Sequence, residues 1–63
     1  MWSVIKLAGT KRSVIVRTIC KVTAFDLYDK EARKLMNGQS IEVWNNGKLV
    51  SRCQYEECKH ENG

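Results

Sequence analysis

The stretch from Val14 to Val22 constrains the fold of this chain more than any other, because β-branched residues dominate it. Such residues favour strands, where the branched side chain packs well on the pleated surface. Successive side chains of a strand point to opposite faces. The set predicted to face the core is Val14, Val16, Thr18, Cys20 and Val22. The alternate set is half-solvated and basic, and it consists of Ile15, Arg17, Ile19 and Lys21.

Three further strands are predicted around this one. The first runs from Trp2 to Ala8 and is followed by a polar turn that starts at Gly9. The last two run from Gln39 to Trp44 and from Lys48 to Tyr55. They flank Asn45-Asn46-Gly47, and Asn-Gly between strands is the strongest short hairpin signal.

The register of this second hairpin has two solutions. A two-residue turn opposes Trp44 to Leu49, whereas a three-residue loop with a glycine bulge opposes Val43 to Leu49. The three-residue loop gathers apolar side chains on one face, namely Ile41, Val43, Leu49, Cys53 and Tyr55. Because register follows the buried face, we favour the three-residue loop.

One helix is predicted between the two hairpins. It begins near Thr23 or Asp26, both favourable N-caps, and Asn37-Gly38 supplies a left-handed stop. Its apolar residues recur at spacings of three and four and form one stripe: Ala24, Phe25, Tyr28, Ala32, Leu35 and Met36. The order ββαββ therefore predicts an α+β fold, a small antiparallel sheet with one helix packed on one face.

The length of the chain, 63 residues, allows one small domain. A core of this size supplies only about 3–5 kcal/mol of net stability. We expect a single α+β domain over residues 1–55 and a flexible polar tail over 56–63. Lys6 interrupts an N-terminal apolar stretch too short for a signal peptide or a membrane span. With an odd number of cysteines, these features predict a cytoplasmic protein with no membrane partner.

Positive charge is concentrated at the start of the chain. Residues 1–25 carry five basic side chains and no acid, and the rest of the chain carries six basic and seven acidic side chains. We hypothesise that Lys11, Arg12, Arg17 and Lys21 form a stripe on the uncovered sheet face, to which Trp44 adds contact area. A mixed basic and apolar surface suits the docking of a macromolecule.

Two classes of partner remain open at this stage. A protein is slightly favoured, because no motif that reads a nucleic-acid groove is present. Alternatively, the basic hairpin neutralises phosphates while Trp2 or Trp44 stacks on bases. The uncovered face would also suit a homodimer.

A zinc-stabilised domain is a third possibility. Cys53, Cys58 and His60 form the one metal-like cluster, and Cys20 would complete a set of four ligands. Their spacing does not form paired knuckles, and the alternative makes Cys20 a core thiol and Cys53 a sheet thiol. We therefore expect no resident cofactor.

Enzymatic activity is not predicted. A Cys58–His60 nucleophile would need a third group to orient the base, and the chain has no glycine-rich phosphate loop. The acids Asp26, Asp29 and Glu31 are explained by their place near the positive end of the helix dipole.

Three segments resemble the short accessory proteins of lambdoid phages and bacterial prophages. They are the basic hairpin Val4–Val22, the hairpin around Trp44–Lys48 and the Cys53, Cys58 and His60 cluster. The resemblance implies a non-catalytic protein that binds a host or phage macromolecule and alters its activity. It assigns no functional residue.

Overall fold

The computed structural model of the chain describes residues 1–55, so the predicted tail over 56–63 lies outside the described residues. The elements are β1 (Trp2–Ala8), β2 (Lys11–Thr18), α1 (Lys21–Ala32), β3 (Gln39–Asn45) and β4 (Lys48–Gln54). The strands form one antiparallel sheet in the order β2-β1-β3-β4. The two hairpins therefore lie side by side, with β1 and β3 in the centre. The predicted α+β class and the ββαββ order are confirmed.

The core lies between α1 and one face of the sheet. Its buried residues are Val4, Ala24, Leu35, Ile41 and Val43. Edge-to-face contacts link Trp2 to Phe25 and Phe25 to Tyr28, with ring centroids 5.6 and 6.0 Å apart. A hydrogen bond of 3.1 Å between the hydroxyls of Tyr28 and Ser51 ties α1 to β4. The helix is thereby fixed over the sheet from one edge region to the other.

The second strand begins and ends earlier than predicted. A two-residue turn at Gly9-Thr10 pairs Ala8 with Lys11, so β2 starts three residues before Val14. Its last residue, Thr18, pairs with Trp2, where β1 begins, and no partner remains for a longer strand. The chain therefore leaves the sheet, and α1 starts at Lys21. The prediction of a strand to Val22 is wrong because strand propensity needs a paired neighbour to be realised.

A β-bulge at Ile15 also changes which β2 residues face the core. Val4 pairs with Val16 and Ile5 pairs with Val14, so Ile15 is the extra residue. Ile15 packs against the core, whereas Val14 is 48% exposed on the opposite face. The strict alternation predicted for these two side chains is therefore wrong.

Two more residues predicted to face the core do not. Cys20 and Val22 lie beyond the end of β2 and are exposed at the start of α1. Ile19, which precedes them, is 85% exposed. The predicted alternation over residues 19–22 is wrong because this segment is no longer a strand.

The second hairpin has the two-residue turn. Asn46 and Gly47 have φ values of 52° and 81°, as a type I′ turn requires. Trp44 pairs with Leu49, so the favoured three-residue loop is wrong and the alternative register is correct at the turn. Leu49 consequently lies on the face opposite to the core.

A second bulge, at Val50, restores the buried face further along this hairpin. Beyond it, Val43 pairs with Ser51 and Ile41 pairs with Cys53. Four residues predicted to share the core face do so: Ile41, Val43, Cys53 and Tyr55. The Asn46-Gly47 turn favours one register and the burial of apolar side chains favours another. The bulge at Val50 allows both registers within one hairpin.

The helix is displaced towards the N-terminus relative to the prediction. It has Cys20 as N-cap and ends at Ala32, after which Lys34 N–H bonds to the Glu31 carbonyl and Leu35 N–H to that of Ala32. These tighter turns bring Leu35 into the core, where it is 7% exposed, while Met36 is 65% exposed. Met36 is therefore not part of the buried stripe. The predicted place of the acids near the positive end of the helix dipole is also wrong, because the first turn of α1 contains no acid and Asp29 and Glu31 lie near its C-terminal end.

We expect Gly47→Ala to reduce the free energy of unfolding by about 1–2 kcal/mol, because an L-residue is strained at this positive φ. No atom lies within 4 Å of the added Cβ, so the loss reports backbone strain alone. Urea denaturation followed by tryptophan fluorescence measures it, with Lys48→Ala as the control. A Gly47→Ala variant as stable as the parent would contradict the turn.

Candidate docking surface

The sheet face opposite α1 is not covered by any other element of residues 1–55, and we call it the open face. Its membership follows from alternation along each strand and from the pairing between strands. Paired residues line up in three rows across the sheet. The Arg17 row contains Arg17, Ser3, Trp44 and Leu49; the central row contains Val14, Ile5, Glu42 and Arg52; the Arg12 row contains Arg12, Leu7, Ser40 and Gln54.

A polar network lies in the middle of the open face. The Trp44 indole N–H donates to Glu42 Oε1 at 2.9 Å, and Arg52 Nε lies 3.7 Å from Glu42 Oε2. The Glu42 side chain is only 13% exposed. This network neutralises the carboxylate and holds the indole in one orientation.

Neither of the two predicted registers places Glu42 opposite Arg52, so neither predicts this network. Glu42 opposes Arg52 only because the Val50 bulge shifts the pairing by one residue. A regular two-residue turn would place Ser51 opposite Glu42, and the three-residue loop would place Val50 there. Sequence analysis therefore missed Glu42 and Arg52 as components of the surface.

Three of the five predicted docking residues lie on the open face: Arg12, Arg17 and Trp44. Lys11 pairs with Ala8, on the helix side of the sheet. Lys21 is the first residue of α1, and its Nζ lies 6.0 Å from the ring centroids of both Trp2 and Phe25.

The predicted stripe of four cations on one face is therefore not formed. It assumed a strand that continued to Val22, and the chain turns into α1 instead. The cations follow the β2 edge of the molecule: Lys11 and Arg12 at one end, Arg17 and Lys21 at the other.

Ion pairs within residues 1–55 involve every acidic side chain but only some of the basic ones. Each acid among residues 1–55 has an ion-pair partner: Asp26 with Lys30, Asp29 with Arg33, Glu31 with Lys34 and Glu42 with Arg52. Six cations of the same range have no carboxylate of residues 1–55 within 4.0 Å: Lys6, Lys11, Arg12, Arg17, Lys21 and Lys48. The acids are locally satisfied, so the unpaired charge of the described chain is positive.

The two candidate zinc ligands among the described residues, Cys20 and Cys53, are not brought together. Cys20 follows β2 at one edge of the sheet, whereas Cys53 lies on β4 at the other edge and is disulfide-bonded. The predictions of a core thiol at Cys20 and a sheet thiol at Cys53 are wrong. Cys58 and His60 lie outside the described residues. Within residues 1–55, no three His, Cys, Asp or Glu side chains are grouped to hold a metal.

The Cys20 thiol is nonetheless perturbed. No side-chain hydrogen bond of standard geometry caps α1 at this residue. The nearby Thr23 hydroxyl, and after it the Thr23 N–H, lower the pKa of the exposed Cys20 thiol from its ordinary value. Both donors stabilise the thiolate.

A shallow groove of about 390 Å³ adjoins the Arg12 row. Leu7, Ser40 and Gln54 line it from the open face, and Arg52 and Tyr55 are its titratable residues. These described residues provide no nucleophile next to a base.

No family model, curated protein or solved structure matches the chain. The resemblance to phage accessory proteins therefore remains a prediction. Within residues 1–55, no helix has the length and apolar character that crossing a membrane requires.

We expect Thr23→Val to slow the alkylation of Cys20 by iodoacetamide at neutral pH, because loss of the hydroxyl raises the thiol pKa and lowers the thiolate fraction. Mass spectrometry of the Cys20 peptide over time measures the rate. Thr18→Val, which removes the hydroxyl that accepts from the Cys20 backbone N–H, is the control. An unchanged rate in Thr23→Val would contradict the assignment.

Proposed function

We propose that the chain is a non-enzymatic binding and regulatory module that docks an acidic surface of another protein through the open face. The observation that carries the proposal is the pairing of charges. Arg12 and Arg17 are unpaired beside the exposed Val14, whereas each acid of the described chain already has a cationic partner. Complementary charge steers such a partner to the surface and fixes its orientation.

The composition of the open face supports a protein over a nucleic acid. Val14 and Leu49 are aliphatic and about half exposed, at 48% and 47%. A single aromatic side chain, Trp44, lies on this face among the described residues, whereas single-stranded nucleic acid is bound by stacking on several rings.

The same charges favour a different chain over a second copy of this one. The single acid on the described part of the open face is Glu42, which already contacts Trp44 and Arg52. The open face of a second copy would therefore offer, among residues 1–55, no free carboxylate to Arg12 and Arg17. Sedimentation should show a monomer, despite the homodimer that the sequence allowed.

Docking on the face is favoured over strand addition at an edge. Both edge strands carry a bulge, at Ile15 in β2 and at Val50 in β4. Bulges and cations along an edge interrupt the regular ladder that an added strand would need.

Nucleic-acid binding is the second candidate function, and one observation favours it. The four cations Lys11, Arg12, Arg17 and Lys21 follow one edge of the molecule, where a phosphate backbone could contact them. Zinc stabilisation gains no such support within residues 1–55.

The proposal also covers the origin of the protein and the compartment in which it acts. We propose a phage- or prophage-derived protein of the cytoplasm, on the resemblance and on the free thiol of Cys20. The disulfide at Cys53 counts against that compartment, because disulfides are rare there.

We expect the Arg12→Glu, Arg17→Glu double variant to lose its protein partner in pull-downs from nuclease-treated lysate, by at least about tenfold. The matched control is Lys11→Glu, Lys48→Glu, which makes the same change of charge at unpaired exposed cations off the open face. Circular dichroism checks that both variants are folded.

Equal losses in the two variants would mean that net charge, and not the open face, retains the partner. Binding that disappears with nuclease, and that weakens linearly in log salt on a DNA column, would replace the protein with nucleic acid.

A further inference from the structure

We infer that the Arg17 row is the recognition subsite of the open face. It seats an Asp or Glu side chain of the partner protein on Arg17 and Ser3, with an apolar partner side chain beside it on Trp44 and Leu49. This inference rests on the proposed function and specifies the chemistry that the partner must present.

The row has a small residue next to a cation. Ser3 pairs with Arg17 on one side and with Trp44 on the other. With neighbouring strands about 4.8 Å apart, the backbones of Arg17 and Trp44 are separated by about 10 Å. Because the serine side chain is short, it leaves a shallow depression floored by a hydroxyl.

The other two rows lack this arrangement. In the central row, Ile5 separates Val14 from Glu42, so the middle of the row is filled. In the Arg12 row, the residue next to the cation is the bulky Leu7. Within the rows of the described open face, a cation is paired directly with a small residue only at Ser3.

The chemistry of the depression selects a carboxylate. Arg17 is exposed and has no acidic partner within residues 1–55. Its planar guanidinium can bind both oxygens of one carboxylate, and the Ser3 hydroxyl is an additional donor on the same floor. A carboxylate seated here would supply the charge that Arg17 lacks.

The other half of the row is apolar and already ordered. Glu42 fixes the Trp44 indole through the 2.9 Å hydrogen bond, so less side-chain freedom is lost when a partner packs on the ring. Leu49 pairs with Trp44 and is 47% exposed. An apolar partner side chain that covers both would exclude water from the neighbouring ion pair.

The spacing defines the partner further. From the Ser3 depression to the boundary between Trp44 and Leu49 is about one and a half strand spacings, or about 7 Å. Side chains one turn apart on a helix are separated by a similar distance, about 5–6 Å between Cβ atoms. Side chains two positions apart in an extended segment share one face and are separated by about 6.5–7 Å. The partner is thus a segment that places an acid and a large apolar residue about 7 Å apart, which means two positions apart if it is extended and three or four if it is helical.

The test selects binders to the intact chain from a displayed library of randomised short peptides, with a parallel selection on beads without protein. Enriched peptides should carry an acid and a large apolar residue at that spacing. In ¹⁵N-resolved NMR spectra, they should shift the resonances of Ser3, Arg17, Leu49 and the Trp44 indole N–H.

Calorimetry with one selected peptide then compares matched variants. Arg17→Lys keeps the positive charge but loses the planar guanidinium that binds both carboxylate oxygens. Ser3→Leu fills the depression. Each variant should weaken binding by about tenfold or more. Arg33→Lys and Ser13→Leu make the same changes away from the open face and should alter binding less than about threefold. In the Arg12 row, Arg12→Lys and Ser40→Leu should weaken binding clearly less than the two Arg17-row variants do.

Each contrary result has a distinct meaning. Peptides that bind the open face but are weakened by the Arg12-row variants as much as by the Arg17-row variants would overturn the subsite and leave the proposed function standing. Peptides that map to α1 would remove both. No enrichment over the bead selection would overturn the subsite, and the pull-down would then judge the docking surface by itself. A thymidine oligonucleotide that shifts the same row more strongly than any peptide would assign the row to nucleic acid.

Discussion

The pairing of β1 with two neighbours is the constraint on which the rest of the structure depends. All seven residues of β1 are paired on both sides, with β2 and with β3. Its length decides where β2 ends, and hence where α1 must begin. Its central place also aligns Arg17, Ser3 and Trp44, which are distant in sequence, in one row. The surface proposed for docking thus follows from strand pairing, and the helix on the opposite face leaves it uncovered.

Much of the fold could be predicted from local signals, because turn residues and apolar periodicity identify the elements and their order. β1 is predicted to the residue, and the Asn46-Gly47 turn marks its hairpin. The bulges at Ile15 and Val50 could not be predicted, since each resolves a conflict between a turn and a buried face that only pairing creates. Strand propensity alone likewise overextended β2.

The docking surface was predictable only in part, for the same reason. Arg17 and Trp44 each follow a recognisable core residue, Val16 and Val43. Because side chains alternate along a strand, both lie on the open face, as predicted. Lys21 does not, because it belongs to a helix that starts where β1 runs out of residues. Glu42 and Arg52 meet only through a shifted register. Networks across strands are visible in a sequence only when the register is known.

The central claim is that one sheet face is packed by α1 and the other is left to a partner. Nuclear Overhauser contacts in the free protein test it most directly. We predict contacts of Ser3 with both Arg17 and Trp44, and none between the side chains of Val14 or Leu49 and any residue of α1. Contacts from Leu49 to the ring of Phe25 or Tyr28 would place the helix on the open face and contradict the account.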